Sequence, residues 1–245
     1  MSKEEILLKL DTYTDMNFKF DPYKHKYTYG GIPFISVTQF ISKFHKPFET
    51  EYWSKKKADE AGVPQEQILL EWKEKNDRAN FIGTSTHNWI ENYYNRIHQE
   101  LPSDVDVIDR INKFNCVYGK FLHKLTPVKF EQMVFSPKLK IAGMIDSVFL
   151  YGDKTIILDW KTNKQFTTND SPYGMNEFLL PPFNSIYKNH LSEYSIQVSL
   201  YSLILSEIGI DVKKCYLVHI GPEGDATIHK AFDYRDILSS YFDSQ

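Results

Sequence analysis

A chain of 245 residues, 42% hydrophobic and 25% charged, can bury a substantial core and fits one large domain or one domain with an appendage. A formal net charge of -3 excludes the strongly basic balance of many nucleic-acid binders, although a local basic patch can still act within a Debye length. Two distant cysteines, Cys116 and Cys215, exclude a disulfide scaffold, a thiolate zinc site and an iron-sulfur cluster, and no apolar run is long enough to cross a membrane as a helix.

Both cysteines are expected in the core, reduced. The opening MSKEEILLKL carries no long apolar region, so a cytoplasmic protein with no membrane partner is expected. Residues 16–35 alternate around a turn and Gly30-Gly31, which predicts a hairpin. Ser36 then caps a helical segment. From Phe48 to about Arg96 the spacing is helical, with breaks predicted near Gly62 and at Gly83, and a further helix runs from about Asp104 to Lys124. The division 1–82, a hairpin and helical extension, and 83–245, the core, follows from this pattern.

After Pro127 the period changes to two. VKFEQMVFS, KIAGMIDSVFLY and KTIILDW read as three strands joined by hairpin turns. The aperiodic stretch from Gln165 to about Tyr187 is long for a connection, and residues 173–182 read as a lid or as an ordered loop. Leu191 to about Ile208 is apolar over much of its circumference and reads as a buried helix. Two strands and an amphipathic helix close the chain. The order predicts an α/β (mixed α+β) fold, a mixed sheet flanked by helices.

Asp146 lies inside an apolar strand and Asp159 ends the next, so each is costly to bury unless paired or bound to a cation. Their separation, 159 - 146 = 13, suits neighbouring strands across a short turn. Lys161 shares the Asp159 face and Trp160 takes the other. Two adjacent carboxylates repel unless one is protonated or both share a cation, and oxygen ligands suit Mg²⁺ or Mn²⁺. A lysine beside such an ion can orient a water or stabilise a phosphoryl oxygen, which adds up to metal-assisted phosphodiester hydrolysis. Taken singly, Asp159 also reads as a strand-end cap and Lys161 as a solvated charge.

Asp146 followed by Asp159-Trp160-Lys161 resembles the signature of the PD-(D/E)XK nucleases, with Ile145 where the family name has proline. Gly83-Thr-Ser-Thr-His87 resembles the upstream helix motif of the RecB-like exonuclease branch, Glu131 sits where a first-strand glutamate is common, and Gln197-Val-Ser-Leu-Tyr201 resembles its QxxxY element. Ile32-Pro-Phe-Ile-Ser-Val-Thr is similar to the opening segment of phage and mitochondrial-type single-strand exonucleases. The resemblance implies a restriction-endonuclease-like core, metal ligation by His87, Asp146, Asp159 and the Trp160 carbonyl, and water positioning by Lys161. It also implies a metal-linked or orienting role for Glu131, and support or DNA contact from Gln197 and Tyr201. The products would be a 5′-phosphate and a 3′-hydroxyl.

Glu91, four residues after His87, reads as support or as a surface residue. Lys55, Lys56 and Lys57, beside Tyr52 and Trp53, read as a phosphate-tracking patch or a solvated helix face. His25, His45, His190, His219 and His229 have no metal spacing. The chain lacks a GxxxxGK[ST] loop, so no helicase motor is expected. The resulting expectation is a Mg²⁺ or Mn²⁺-dependent DNA exonuclease acting on single strands or ends in replication, recombination or repair, without an iron-sulfur cluster and with possible replication or recombination protein partners. The alternatives are a junction or flap endonuclease and an inactive binding module on the same fold.

Overall fold

In a computed structural model, residues 1–14, 17–21, 26–168 and 177–244 are described. Helix α1 (Lys3–Leu10) precedes a meander of β1 (Phe18–Asp21), β2 (Lys26–Tyr29) and β3 (Ile32–Ser36). Ser36 ends β3 and caps α2 (Val37–Ser42): its hydroxyl accepts from the Gln39 N–H while the Gln39 side chain returns to the Ser36 N–H. Next come α3 (Thr50–Ala61), α4 (Gln65–Tyr94), α5 (Val105–Lys120) and the antiparallel strands β4 (Thr126–Ser136), β5 (Ile141–Tyr151) and β6 (Lys154–Lys161). Helix α6 (His190–Glu207), β7 (Val212–His219), β8 (Thr227–Lys230) and α7 (Arg235–Asp243) complete the chain.

The eight strands form one mixed sheet flanked by helices. On one face, Ile6 of α1, Phe40 of α2, Ile204 of α6 and Leu238 of α7 join Val148 and Ile157 in the larger core. On the other, Ile90 of α4 and Phe114 of α5 cover Phe149, Leu158 and Trp160. Burial on both faces explains why β5 and β6 read as nearly continuous apolar runs.

Strand β5 is the hub. Strand β4 pairs along one edge, while the other edge is shared: β6 pairs Ser147–Tyr151 and β3 pairs Ile141 and Ala142 in parallel. Between them, Gly143 to Asp146 belong to neither pairing. This fork lets side chains from both faces of the sheet converge.

Two expectations are corrected. No break occurs at Gly83, because α4 runs unbroken from Gln65 to Tyr94; a glycine costs a helix only about 1 kcal/mol, and packing on the sheet outweighs it. The division at 82/83 thus falls inside one helix, and β3 lies in the same sheet as β5. Cys116 is exposed and Cys215 half-buried, both as free thiols. Of residues 173–182, read as a lid or as an ordered loop, residues 173–176 lie outside the described residues. Residues 177–182 form a packed loop, with Leu179 buried and the Leu180 N–H donating to the Phe44 carbonyl at 2.8 Å.

Candidate metal centre and cleft

The fork brings together the acids that the strand pattern predicted. Extending the Ser147–Leu158 register by one step sets Asp146 opposite Asp159, but the strands have parted there. Asp146 takes the place of the lost ladder: its Oδ2 accepts the Trp160 N–H at 2.8 Å. One step earlier, Ser147 Oγ donates to the Leu158 carbonyl at 2.6 Å.

From α4, His87 Nδ1 stands 3.6 Å from Asp146 Oδ2 and 3.8 Å from Glu131 Oε1. One ligand atom from each of His87, Glu131 and Asp146 lies within 4.8 Å of the others. Glu131 holds a left-handed φ of 45° in mid-strand, a conformation that costs a non-glycine residue about 1–2 kcal/mol and marks a constrained site. Gly83, one turn before His87, admits close approach of α4: a Cβ there would lie 3.2 Å from Thr162 Oγ1. Glu91, one turn after His87, has its carboxyl pKa raised by burial and by the charge of Glu131.

Asp159 is fully buried; its Oδ2 is paired with Lys161 Nζ at 2.6 Å, and its Oδ1 has no hydrogen-bond partner. Burial pushes its pKa up to about 6 against the pull of Lys161. Burial also raises Asp146 despite His87 and Lys161. For Lys161 and His87, burial favours the neutral form, but the acids around them outweigh it and both are raised. The Lys161 ammonium also donates to Gln197 Oε1 at 3.2 Å and lies 4.2 Å from the centre of the Tyr194 ring. Gln197 Nε2 in turn donates to the Tyr201 hydroxyl at 3.3 Å. Tyr201 fits because β5 has glycine beneath it: a Cβ on Gly143 would stand 2.8 Å from Tyr201 Cε1.

The structure therefore joins His87, Glu131, Asp146, Asp159, Lys161, Gln197 and Tyr201 in one place. The compact ligand trio is His87, Glu131 and Asp146; Asp159 stands beside it, bound to Lys161. At Trp160 the recorded contact with the trio is its N–H on Asp146. Lys55, Lys56 and Lys57 are exposed on α3 and do not line the cleft; Lys56 lies over Trp53 and Lys57 over Trp72. Ser54 and Ala58, which flank these positions, face inward, so helical phase sends the lysines outward.

A cleft of about 700 Å³ is lined by His87 and Glu131 of the trio and by Lys161. Lys75, Arg78, Arg110, Lys161 and Lys164 line it with Asp106 and Glu131; Arg78 is paired with Asp104 and Asp106, Arg110 with Asp109 and Lys161 with Asp159. Sequence reasoning missed Lys75, Arg78, Arg110, Lys164 and Tyr194. Arg110 left a signal, a charge within the apolar stripe Val107, Ile111, Phe114 and Val117; Lys75, Arg78 and Lys164 left none, being ordinary surface types.

No protein-family profile and no curated protein matches the chain. A solved structure, described as the crystal structure of SSO0001, is similar at 15% identity over 98% of this chain and 84% of that one, with a TM-score of 0.30. No helix among the described residues is long and apolar enough to cross a membrane.

Proposed function

We propose that the protein is a metal-dependent deoxyribonuclease that hydrolyses phosphodiester bonds, acting as an exonuclease on single-stranded DNA or DNA ends. The observation that carries this reading is the convergence of His87, Glu131 and Asp146 within 4.8 Å of one another, beside the Asp159–Lys161 pair. The residues fit a divalent cation. Asp159 pairs Oδ2 with Lys161 but buries Oδ1 without a partner, a cost that a nearby cation offsets. One imidazole with two or three carboxylates is a donor set between those of Mg²⁺ and the softer transition metals, and it suits Mn²⁺ at least as well as Mg²⁺.

His87, Glu131, Asp146 and Asp159 would hold the ion. When bound, it would acidify a water and neutralise charge on the phosphodiester. Lys161, held by Asp159, Gln197 and the Tyr194 ring, is positioned as a fixed cation that orients the water or stabilises a phosphoryl oxygen. Gln197 and Tyr201 keep that ammonium in place from α6. The basic residues among the cleft's lining, Lys75 and Lys164 beside the ion-paired Arg78, Arg110 and Lys161, suit a phosphate backbone.

End-labelled linear and circular DNA, single- and double-stranded, incubated with Mg²⁺ or Mn²⁺ tests the reading. Cleavage of linear single strands is expected, lost in Asp146→Asn, Asp159→Asn and Lys161→Ala. Cutting of circles would replace the exonuclease by an endonuclease, and no cleavage by the intact protein, or equal cleavage by the variants, would end the proposal.

A further inference from the structure

Helix α5 buries Val107, Ile111, Phe114 and Val117, and in the same stripe it buries Arg110. The Arg110 side chain is 5% exposed. Its ion partner is Asp109 at 2.5 Å, an adjacent residue 44% exposed that also holds Lys113 Nζ at 2.9 Å. Arg110 Nε is buried and makes no hydrogen bond. A guanidinium in an apolar stripe loses hydration, and a shared, solvated carboxylate offsets little of that loss. Arg110 nevertheless lines the cleft that holds His87 and Lys161, and so does the exposed Lys164 just past β6.

We propose that Arg110 and Lys164 form a second anion subsite in the cleft, which takes a phosphoryl group of the substrate strand other than the one at the metal trio. The proposal rests on the nuclease reading and adds to it how the strand is held. A guanidinium suits the role because, with Nη1 on Asp109 and Nε buried, its charge stays fixed in the cleft wall and can act on a phosphoryl oxygen there. An arginine kept only for packing would be replaced by methionine, of similar length, without loss of binding.

The test uses the full chain in EDTA, with fluorescent single-stranded oligonucleotides of about ten nucleotides, with and without a terminal phosphate, titrated at several salt concentrations. Arg110→Met is expected to bind about tenfold more weakly, with a salt slope smaller by about 0.7, and Arg110→Lys to fall between it and the parent. The Arg110→Met melting temperature is expected at or above that of the parent, since a poorly compensated buried charge is gone. Its Mn²⁺-induced thermal shift should equal the parent's. Weakening on the phosphorylated probe alone assigns the subsite to a terminal phosphomonoester; equal weakening on both assigns it to an internal diester. Unchanged affinity and slope in Arg110→Met overturn the subsite, as does weakening accompanied by a lower melting temperature and a lost Mn²⁺ shift. If the parent cleaves DNA while Arg110→Met binds normally, the subsite alone fails; if the parent neither binds nor cleaves, the nuclease reading fails first.

Discussion

The backbone N–H of Trp160 donates to Asp146 Oδ2 at 2.8 Å, so a carboxylate of the candidate metal centre also completes the sheet where β5 and β6 part. Structure and chemistry can be separated at this residue. Asparagine retains an acceptor for Trp160, whereas alanine leaves a buried N–H unpaired, a cost of about 1–3 kcal/mol. Asp146→Ala should therefore be less stable than Asp146→Asn by that amount while both lack the proposed nuclease activity. Calorimetry of the two variants side by side checks this, and equal melting would remove the structural role.

Much of the site was legible because strand pleat and helix turn are strict periods. The 13-residue spacing of Asp146 and Asp159 anticipated their facing positions, and the Gln197–Tyr201 spacing anticipated a shared helix face. Long-range relationships were not legible. Nothing local in Ile35 or Ser36 announces parallel pairing with Ile141 and Ala142, and no residue type announces the left-handed backbone of Glu131. Cys116 was legible and misjudged: with Phe114 and Val117 inward, helical phase already turned position 116 to solvent.

Gly143 and Tyr201 make a second contact open to test. An alanine Cβ at 143 would lie 2.8 Å from Tyr201 Cε1 and 3.0 Å from Val37 Cγ2, both in packed surroundings. Gly143→Ala should cost about 1–3 kcal/mol by overpacking and should lower nuclease activity by displacing Tyr201 from Gln197. In a Tyr201→Leu background the same substitution should cost much less. Equal penalties in both backgrounds would show that Tyr201 is not what the glycine accommodates.

Glu193, in the first turn of α6, sets a pH dependence apart from the metal centre. Burial raises its carboxyl from the ordinary 4.5 to about 7, against the pull of Lys188. His45 Nε2 stands 3.8 Å away, and burial, then Lys188, lowers the imidazole pKa, so at neutral pH it offers little compensating charge; Glu177 opposes that lowering. The folded state thus binds the Glu193 proton more tightly than the unfolded chain does. Its contribution is complete below about pH 4.5 and is lost as pH rises through about 7, a loss of up to about 3 kcal/mol. Glu193→Gln, neutral at every pH, should gain stability over the parent progressively between those limits. Denaturation curves that run parallel for the two proteins from pH 4 to 8 would refute it.

The Asp159–Lys161 pair gives the most direct test of whether a cation compensates the buried acid. Asp159 is fully buried, has the Lys161 ammonium at 2.6 Å from Oδ2 as its counter-charge, and leaves Oδ1 without a partner. Lys161→Met strands that carboxylate, and breaking a buried pair from one side costs about 3–5 kcal/mol. Above pH 7 the variant should lose roughly that much stability, and adding Asp159→Asn should restore most of it without restoring activity. A divalent ion at the neighbouring trio would supply the missing positive charge, so Mn²⁺ should raise the melting temperature of Lys161→Met more than that of the parent protein. Equal shifts in the two would mean that the ion does not act on Asp159. Undiminished stability of Lys161→Met without metal would mean that Asp159 is protonated in the folded protein, and the ligand set would then be His87, Glu131 and Asp146 alone.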